Sequence, residues 1–472
     1  MPEKVGGHAV VLGASMAGLL AARVLSDAYD RVTVIERDVL LDGPVHRRGV
    51  PQSRHAHAVL PAGCQLIEDL FDGLSEELVA AGALAGDTVA TIRAMYSGHQ
   101  LAQAVSGVNI LFVSRPLLES RIRARVRGLP VVTFLDGWNA MGLVTSDAGR
   151  RVVGIRFGAG HGPGGEQILE ADLVVDATGR GSRTPAWLAA LGYPEPRRER
   201  VVVDVRYATR LFRLSPGALG ENHALVSGRT PAQPRAGVLL AIEGGLCMCS
   251  VAGFLGEVPP TTLPEFLAFA QSLLLPDIHD AIVDAEPVGD GTRLGYPANL
   301  RVHYEESPQH PAGLLVIGDA LCALNPVYGQ GMTVAAMEAA ALRRLLAQGP
   351  LSERRYFTEV ARVIDVPWDT ATAADLMKGS VRGLHGVRIR LLNSYVSRLH
   401  AAAEVDPDLT VAFARVVGLI DPPSELFRPG RIARVLKGGR NRGRGAGSRP
   451  DGAAIPTRSK PRGGPASDAE PD

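Results

Sequence analysis

Val10-Val-Leu-Gly-Ala-Ser-Met-Ala-Gly18 is an apolar strand that breaks at glycine and opens directly into a helix. That layout leaves the first backbone N–H groups of the helix free to face a pyrophosphate. Far along the chain stand Leu315-Val-Ile-Gly-Asp-Ala320 and Asn325-Pro-Val-Tyr-Gly-Gln-Gly-Met332. They place an aspartate at the end of a second apolar strand, then a glycine-rich turn into another helix. Together the two stretches imply one flavin-sized dinucleotide, and so an FAD enzyme.

In Gly13-x-Ser15-x-x-Gly18 a serine replaces the middle glycine of the usual fingerprint, nearly the smallest change that close approach to a phosphate tolerates. The motif is weak alone. Glu36 strengthens it, ending the next strand 23 residues after Gly13, where a carboxylate takes both ribose hydroxyls and disfavours a 2′-phosphate. Gly13-Ala-Ser15-Met-Ala17 also approaches a nucleophile elbow, but Ala17 stands where that motif needs glycine, and Glu36 would be unexplained.

Composition narrows the classes. Lys and Arg total 50 against 49 Asp and Glu, and aromatics are 5%, so nothing argues for nucleic acid. Four cysteines without metal or disulfide spacing fit a reducing, cytoplasmic compartment. The apolar run Ala9 to Leu25 after Lys4 is too short and glycine-broken for a membrane span, and it reads as nucleotide-binding rather than as an export signal.

The expected fold class is α/β: a Rossmann-like FAD-binding domain interwoven with a mixed-sheet substrate domain, plus C-terminal helices. Segments 1–80, 114–185 and 295–374 form the FAD-binding domain, and 81–113 and 186–294 the substrate sheet, with a hairpin turn at Gly244-Gly245. Residues 375–436 form a helical region. The Gly-, Pro- and Arg-rich stretch 437–472 is expected to be disordered, having too little apolar surface to bury.

His46, His55 and His57 lie in a Gly/Pro/Arg loop without carboxylate or cysteine at ligand spacing, so no metal is assigned. Arg47, Arg48 and Arg54 beside them suit a pyrophosphate, or form a solvated charge cluster.

The order of these motifs resembles the group A flavin monooxygenases of the para-hydroxybenzoate-hydroxylase fold, over roughly residues 8–345. Gly331-Met-Thr-Val-Ala335 looks like squalene epoxidases. Val50-Pro-Gln-Ser-Arg-His-Ala-His57, Asp176-Ala-Thr-Gly-Arg-Gly-Ser182 and Asn325 to Val334 look like the polyene epoxidases of polyether pathways, and Arg390 to Val396 fits them more loosely.

The resemblance implies that Asp319 bonds the flavin ribityl chain, Glu36 the adenosine ribose, and Arg115 lies along the FAD. It implies backbone from Gly331 and Met332 near the flavin ring. The cofactor-binding set is then Gly13, Ser15, Gly18, Glu36, Arg37, Arg48, Arg115, Asp176, Gly179, Asp319, Pro326, Gly329, Gln330, Gly331 and Met332. Asp176-Ala177 replaces the family's usual aspartate–glycine pair, so electrons come from NADPH or NADH either directly or through a flavin reductase.

The implied reaction is epoxidation of an alkene in a polyene or terpenoid intermediate, through a C4a-hydroperoxyflavin. An alkene needs no base, whereas a phenol benefits from one. Tyr207, His303 and Tyr304 are base candidates by type only, and no catalytic residue is assigned. The small aliphatic strands Val238 to Phe254 suit a small apolar substrate, or are ordinary sheet core. Aromatic hydroxylation stays open, as does a geranylgeranyl-reductase- or lycopene-cyclase-like flavoenzyme without oxygen insertion. Halogenation is disfavoured, because Trp138, Trp187 and Trp368 are isolated and the W-x-W-x-I-P run is missing. Arg388, Arg390, Arg398 and His400 among leucines and valines read as helix packing on the FAD domain, with membrane contact as the alternative.

Overall fold

The computed structural model describes residues 4–146, 149–159, 165–376 and 387–445. Strand β1 (Gly6–Leu12), helix α1 (Met16–Ala28) and strand β2 (Tyr29–Glu36) open the chain as a β-α-β unit. Helix α2 (Arg115–Arg127) leads into β3 (Val132–Asp136), and β4 (Leu173–Asp176) follows. Four longer strands come next: β5 (Arg197–Arg213), β6 (Arg235–Ile242), β7 (Leu246–Gly253) and β8 (Glu286–His303). Strand β9 (Leu314–Val316) then precedes helices α3 (Gly331–Leu346) and α4 (Glu353–Leu376).

A five-stranded sheet runs in the order β9-β4-β1-β2-β3, parallel at every junction. Its central strands are continuous apolar runs because the sheet is covered by helices and by the three-stranded antiparallel sheet of Trp138–Thr145, Val152–Ala159 and Gln167–Glu170. Leu143, Ile155 and Phe157 of that smaller sheet share its core, and Ala9, Val10 and Val11 are wholly buried. Leu19, Leu20 and Leu25 of α1 pack there, and Ile122 and Val126 of α2 join the same core. An eight-stranded sheet holds β8-β5-β7-β6 at its centre and adds Ala224–Ser227, Ile92–Tyr96 and His99–Gln100 at one side. At its other edge Cys322–Ala323, which belongs to the second glycine-rich stretch, pairs with β8 and joins the two sheets.

The Gly244-Gly245 turn sits between β6 and β7 with φ of +73° and +67°. Along β6 and β7 the side chains alternate. Leu239, Cys249 and Val251 pack under the helix Leu263–Gln271, while Val238, Leu240, Ser250 and Ala252 face a cavity. One face is therefore ordinary sheet core, and the other lines the cavity.

Two boundaries differ from expectation. Strand β8 runs without a break through the division placed at residue 295. A C-terminal helix, Pro429–Gly445, continues past 437, where disorder was expected to begin; Arg431 and Arg434 pair with Glu425, Asp406 and Asp408 and hold it in place. The rest of that stretch, 446–472, lies outside the described residues, as do the side chains of Arg388 and Arg390. Among the described residues no helix is long and apolar enough to cross a membrane.

Candidate active site

Gly13, Glu36, Asp176 and Asp319 all stand at the carboxyl ends of parallel strands, the edge where open α/β sheets take ligands. Gly13 has φ +100°, and a Cβ there would lie 2.6 Å from the Ala177 carbonyl oxygen. A Cβ on Gly18 would lie 1.8 Å from the Gly13 carbonyl oxygen, so the strand-to-helix turn closes only with glycine. Gly318 packs on the same turn: its Cβ would meet that of Ala17 at 2.5 Å. The two glycine-rich stretches thus touch.

Ser15 does not cap α1 with its side chain. Its hydroxyl donates to Glu119 at 2.9 Å and accepts from Arg115 at 2.9 Å. The first N–H groups of α1 have no intrahelical partner and receive none from Ser15, which suits an anion. Glu36 accepts the Ala14 N–H at 2.7 Å and the Asp38 N–H at 3.0 Å, bracing the loop from the end of β2.

Of the neighbouring arginines, Arg37, Arg48 and Arg54 are exposed, and Arg47 is the one turned inward. Arg47 Nε donates to Glu119 at 2.9 Å, and its Nη1 lies 3.2 Å from Glu36. Glu119 also faces Arg115 and Arg123 one helical turn to either side. The i, i+4 spacing Arg115, Glu119, Arg123 was the available sequence signal for this cluster. Arg115 Nε is buried with no hydrogen-bond partner among the described residues.

Asp319 sits between Gly179 and Gly331, each within 4 Å of it once a Cβ is added. Burial pushes its carboxyl up, against the pull of Arg115 and Arg180. Asp176 departs from expectation. Its carboxylate accepts from the Thr178 N–H and from the hydroxyls of Thr178, Ser182 and Thr184, so it is a clasp inside its own loop rather than a ligand group. Pro326 starts a short turn, Gly329 takes φ +66°, and Gln330, Gly331 and Met332 lead into α3. Gln330 Oε1 is buried without a partner among the described residues.

The glycine cradle, the helix start that Ser15 leaves uncapped, an Arg115 Nε that is ion-paired with Glu119 but makes no hydrogen bond, and an Asp319 carboxylate without a hydrogen bond among the described residues fit FAD. Gly13, Ser15 and Gly18 would hold its pyrophosphate, Glu36 its ribose, and Asp319 its ribityl chain.

A cavity of about 1220 Å³ adjoins this site. Its walls are β6 and β7, the segment His55 to Ala58, the turn Pro326 to Gln330, and the C-terminal helices through Leu391, Tyr395 and Phe427. Tyr207, of the three base candidates, borders it; His303 and Tyr304 do not. The Tyr207 hydroxyl donates to Asn325 Oδ1 at 2.7 Å, and burial raises it well above the usual phenol range. Asp375, wholly buried on α4, accepts from Asn299 at 2.8 Å, Tyr328 at 2.7 Å and Asn325 at 3.1 Å, with Arg229 at 3.5 Å. His46, His55 and His57 do not converge, each Nδ1 having its own partner: Ser53, Thr209 and the His55 carbonyl.

Residues 249–365 match the squalene epoxidase family model. Protein Rv3254 of Mycobacterium tuberculosis (strain ATCC 25618 / H37Rv) is 34% identical over 459 residues, covering 89% of this chain and 92% of that protein. The chain belongs to the group A FAD-dependent monooxygenase family. Two solved structures share the monooxygenase fold. The flavin-dependent brominase Bmp2 superposes with TM-score 0.64 at 18% identity, covering 93% of this chain and 100% of that one. The p-nitrophenol 4-monooxygenase PnpA from Pseudomonas putida DLL-E4 gives 0.61 at 16%, covering 88% and 97%. Their likeness reaches the monooxygenase fold and not the reactions they carry out.

Proposed function

We propose that this monooxygenase epoxidises an alkene in a large apolar polyene or terpenoid molecule. The observation that carries the reading is the cavity, where several polar side chains direct their polar atoms at the wall. The hydroxyls of Tyr328 and Tyr395 donate to Asp375 and to the Leu426 carbonyl, and those of Thr370 and Thr410 to the Val366 and Ala403 carbonyls. What remains facing inward is mostly aliphatic. The volume also exceeds the roughly 300–1,000 Å³ of ordinary small-ligand pockets.

Bound FAD supplies oxygen activation, using electrons from NADPH or NADH received directly or through a reductase. The chain's own residues hold the cofactor, exclude water and seat the alkene. Aromatic hydroxylation is the weaker reading, because a phenol calls for a base and the two histidines of the cavity wall beside the cofactor turn are poorly suited to it. Burial holds His55 and His57 down to about 4 and about 3, too weak to deprotonate a phenol at neutral pH.

The test is turnover of purified protein with FAD, NADPH and ¹⁸O₂, with and without a general flavin reductase, against alkenes, polyenes and phenols. One labelled oxygen added across a double bond supports the epoxidase reading. A labelled phenol overturns it in favour of hydroxylation, and a saturated product in favour of a reductase-like enzyme. Dependence on the added reductase separates the two electron routes.

A further inference from the structure

The segment His55-Ala56-His57 enters the cavity wall beside β5 and β7, and a chain of hydrogen bonds fixes its first histidine. The Ala56 N–H donates to Ser250 Oγ at 2.9 Å. Ser250 Oγ lies 2.5 Å from Thr209 Oγ1, which lies 2.8 Å from His55 Nδ1. The Ala56 N–H takes one of the two Ser250 lone pairs, and the two hydroxyls relay either toward His55 or away from it. Toward His55, Ser250 donates to Thr209 and Thr209 to His55 Nδ1, which satisfies both hydroxyl hydrogens inside the wall. Away from it, the hydrogen left facing the cavity is that of Ser250 rather than that of the ring, and the T209V and H55F variants below tell the two apart.

His55 is 7% exposed, and burial with Arg54 nearby keeps the ring neutral, so it carries one proton. With Nδ1 accepting, that proton is on Nε2. Nε2 has no protein partner among the described residues, and the ring borders the cavity.

We propose that His55 Nε2–H is the polar anchor of the substrate cavity, and that the substrate is an apolar molecule bearing a neutral acceptor oxygen, such as a carbonyl or ether. This rests on the cavity being the substrate site, as the epoxidase reading has it. A carboxylate accepts a stronger hydrogen bond from the N–H than a ketone does, but taking its charge out of water costs more than that gain. A pure hydrocarbon leaves the donor unpaired.

The test uses the oxidised FAD-loaded enzyme, without reductant, and calorimetric titration. The probes are geranylacetone, farnesylacetone and the hydrocarbons in which a methylidene group replaces each carbonyl oxygen. One hydrogen bond corresponds to the ketone binding about fivefold tighter than its hydrocarbon match. H55F is expected to abolish that preference while leaving hydrocarbon affinity unchanged. H55Q, which still carries an N–H donor, retains part of it. T209V leaves the histidine in place but releases Nδ1, so the preference shrinks; it carries the test if H55F fails to fold.

Absence of a ketone preference in the unsubstituted enzyme, including failure of all the probes to bind, overturns the proposal. So does a preference that survives H55F. A change in flavin absorbance on H55F with no ketone preference to lose assigns Nε2 to the cofactor instead, and also overturns it. Binding without turnover is independent of the ¹⁸O₂ experiment, so either inference can fail alone.

Discussion

Gly18 leaves no room for a side chain, since its Cβ would fall 1.8 Å from a backbone oxygen that cannot move without opening the strand-to-helix turn. G18A is therefore expected to leave a folded protein purified without flavin, read as loss of the absorbance near 450 nm. Glu338 tells a different story on α3. It is wholly buried, accepts the Gly318 N–H at 2.6 Å, and burial raises its carboxyl to about 8. The native state then holds a proton that the unfolded chain releases near the ordinary carboxylate value. Stability is expected to fall as pH rises from about 4.5 to 8 and to level off above, by about 1 kcal/mol per pH unit from this group. E338Q keeps an acceptor for Gly318 and removes the titration. Urea denaturation from pH 5.5 to 9 should show the decline in the parent and not in the variant; equal slopes would refute the assignment.

Between elements, the contacts that matter most join segments distant in sequence. Asp375 near the end of α4 ties down Asn325 and Tyr328, and Asn325 also receives the Tyr207 hydroxyl from β5. Removing one member of such a buried charged cluster leaves the others unpaired, so D375A is expected to cost about 3 kcal/mol in urea unfolding. This clasp was not legible in the sequence, because nothing in the spacing of Asn299, Asn325 and Asp375 reveals that β8, the turn and α4 meet. The β-α-β unit and the second glycine turn were legible, because Gly13, Gly18 and Gly318 meet local steric demands that reach only a few residues. Asp176 entered the cofactor set through the resemblance of its Asp-Ala-Thr-Gly segment; the hydroxyls that occupy it come from its own loop. Arg47 was named only among a cluster, and its partner Glu119 lies 72 residues away, beyond any local pattern.

At the scale of the molecule, the two sheets are joined rather than set side by side, with β8 in one and Cys322–Ala323 returning to it from the nucleotide-binding stretch. The parallel sheet is assembled from strands made far apart in time. Its central strand, β1, is made before its neighbour β4, which begins at Leu173, and β9 closes the edge only at Leu314. At ribosomal speeds, the interval between Leu12 and Leu314 is on the order of half a minute. Until Leu173 is made β1 has only β2 beside it, and from then until Leu314 it is β4 that waits with one edge open. Ribosome-stalled chains ending before Leu314 are thus expected to retain no flavin and to lean on chaperones, while chains extended past α3 bind it. The cofactor is a late arrival, and its docking marks the moment the nascent chain stops needing protection.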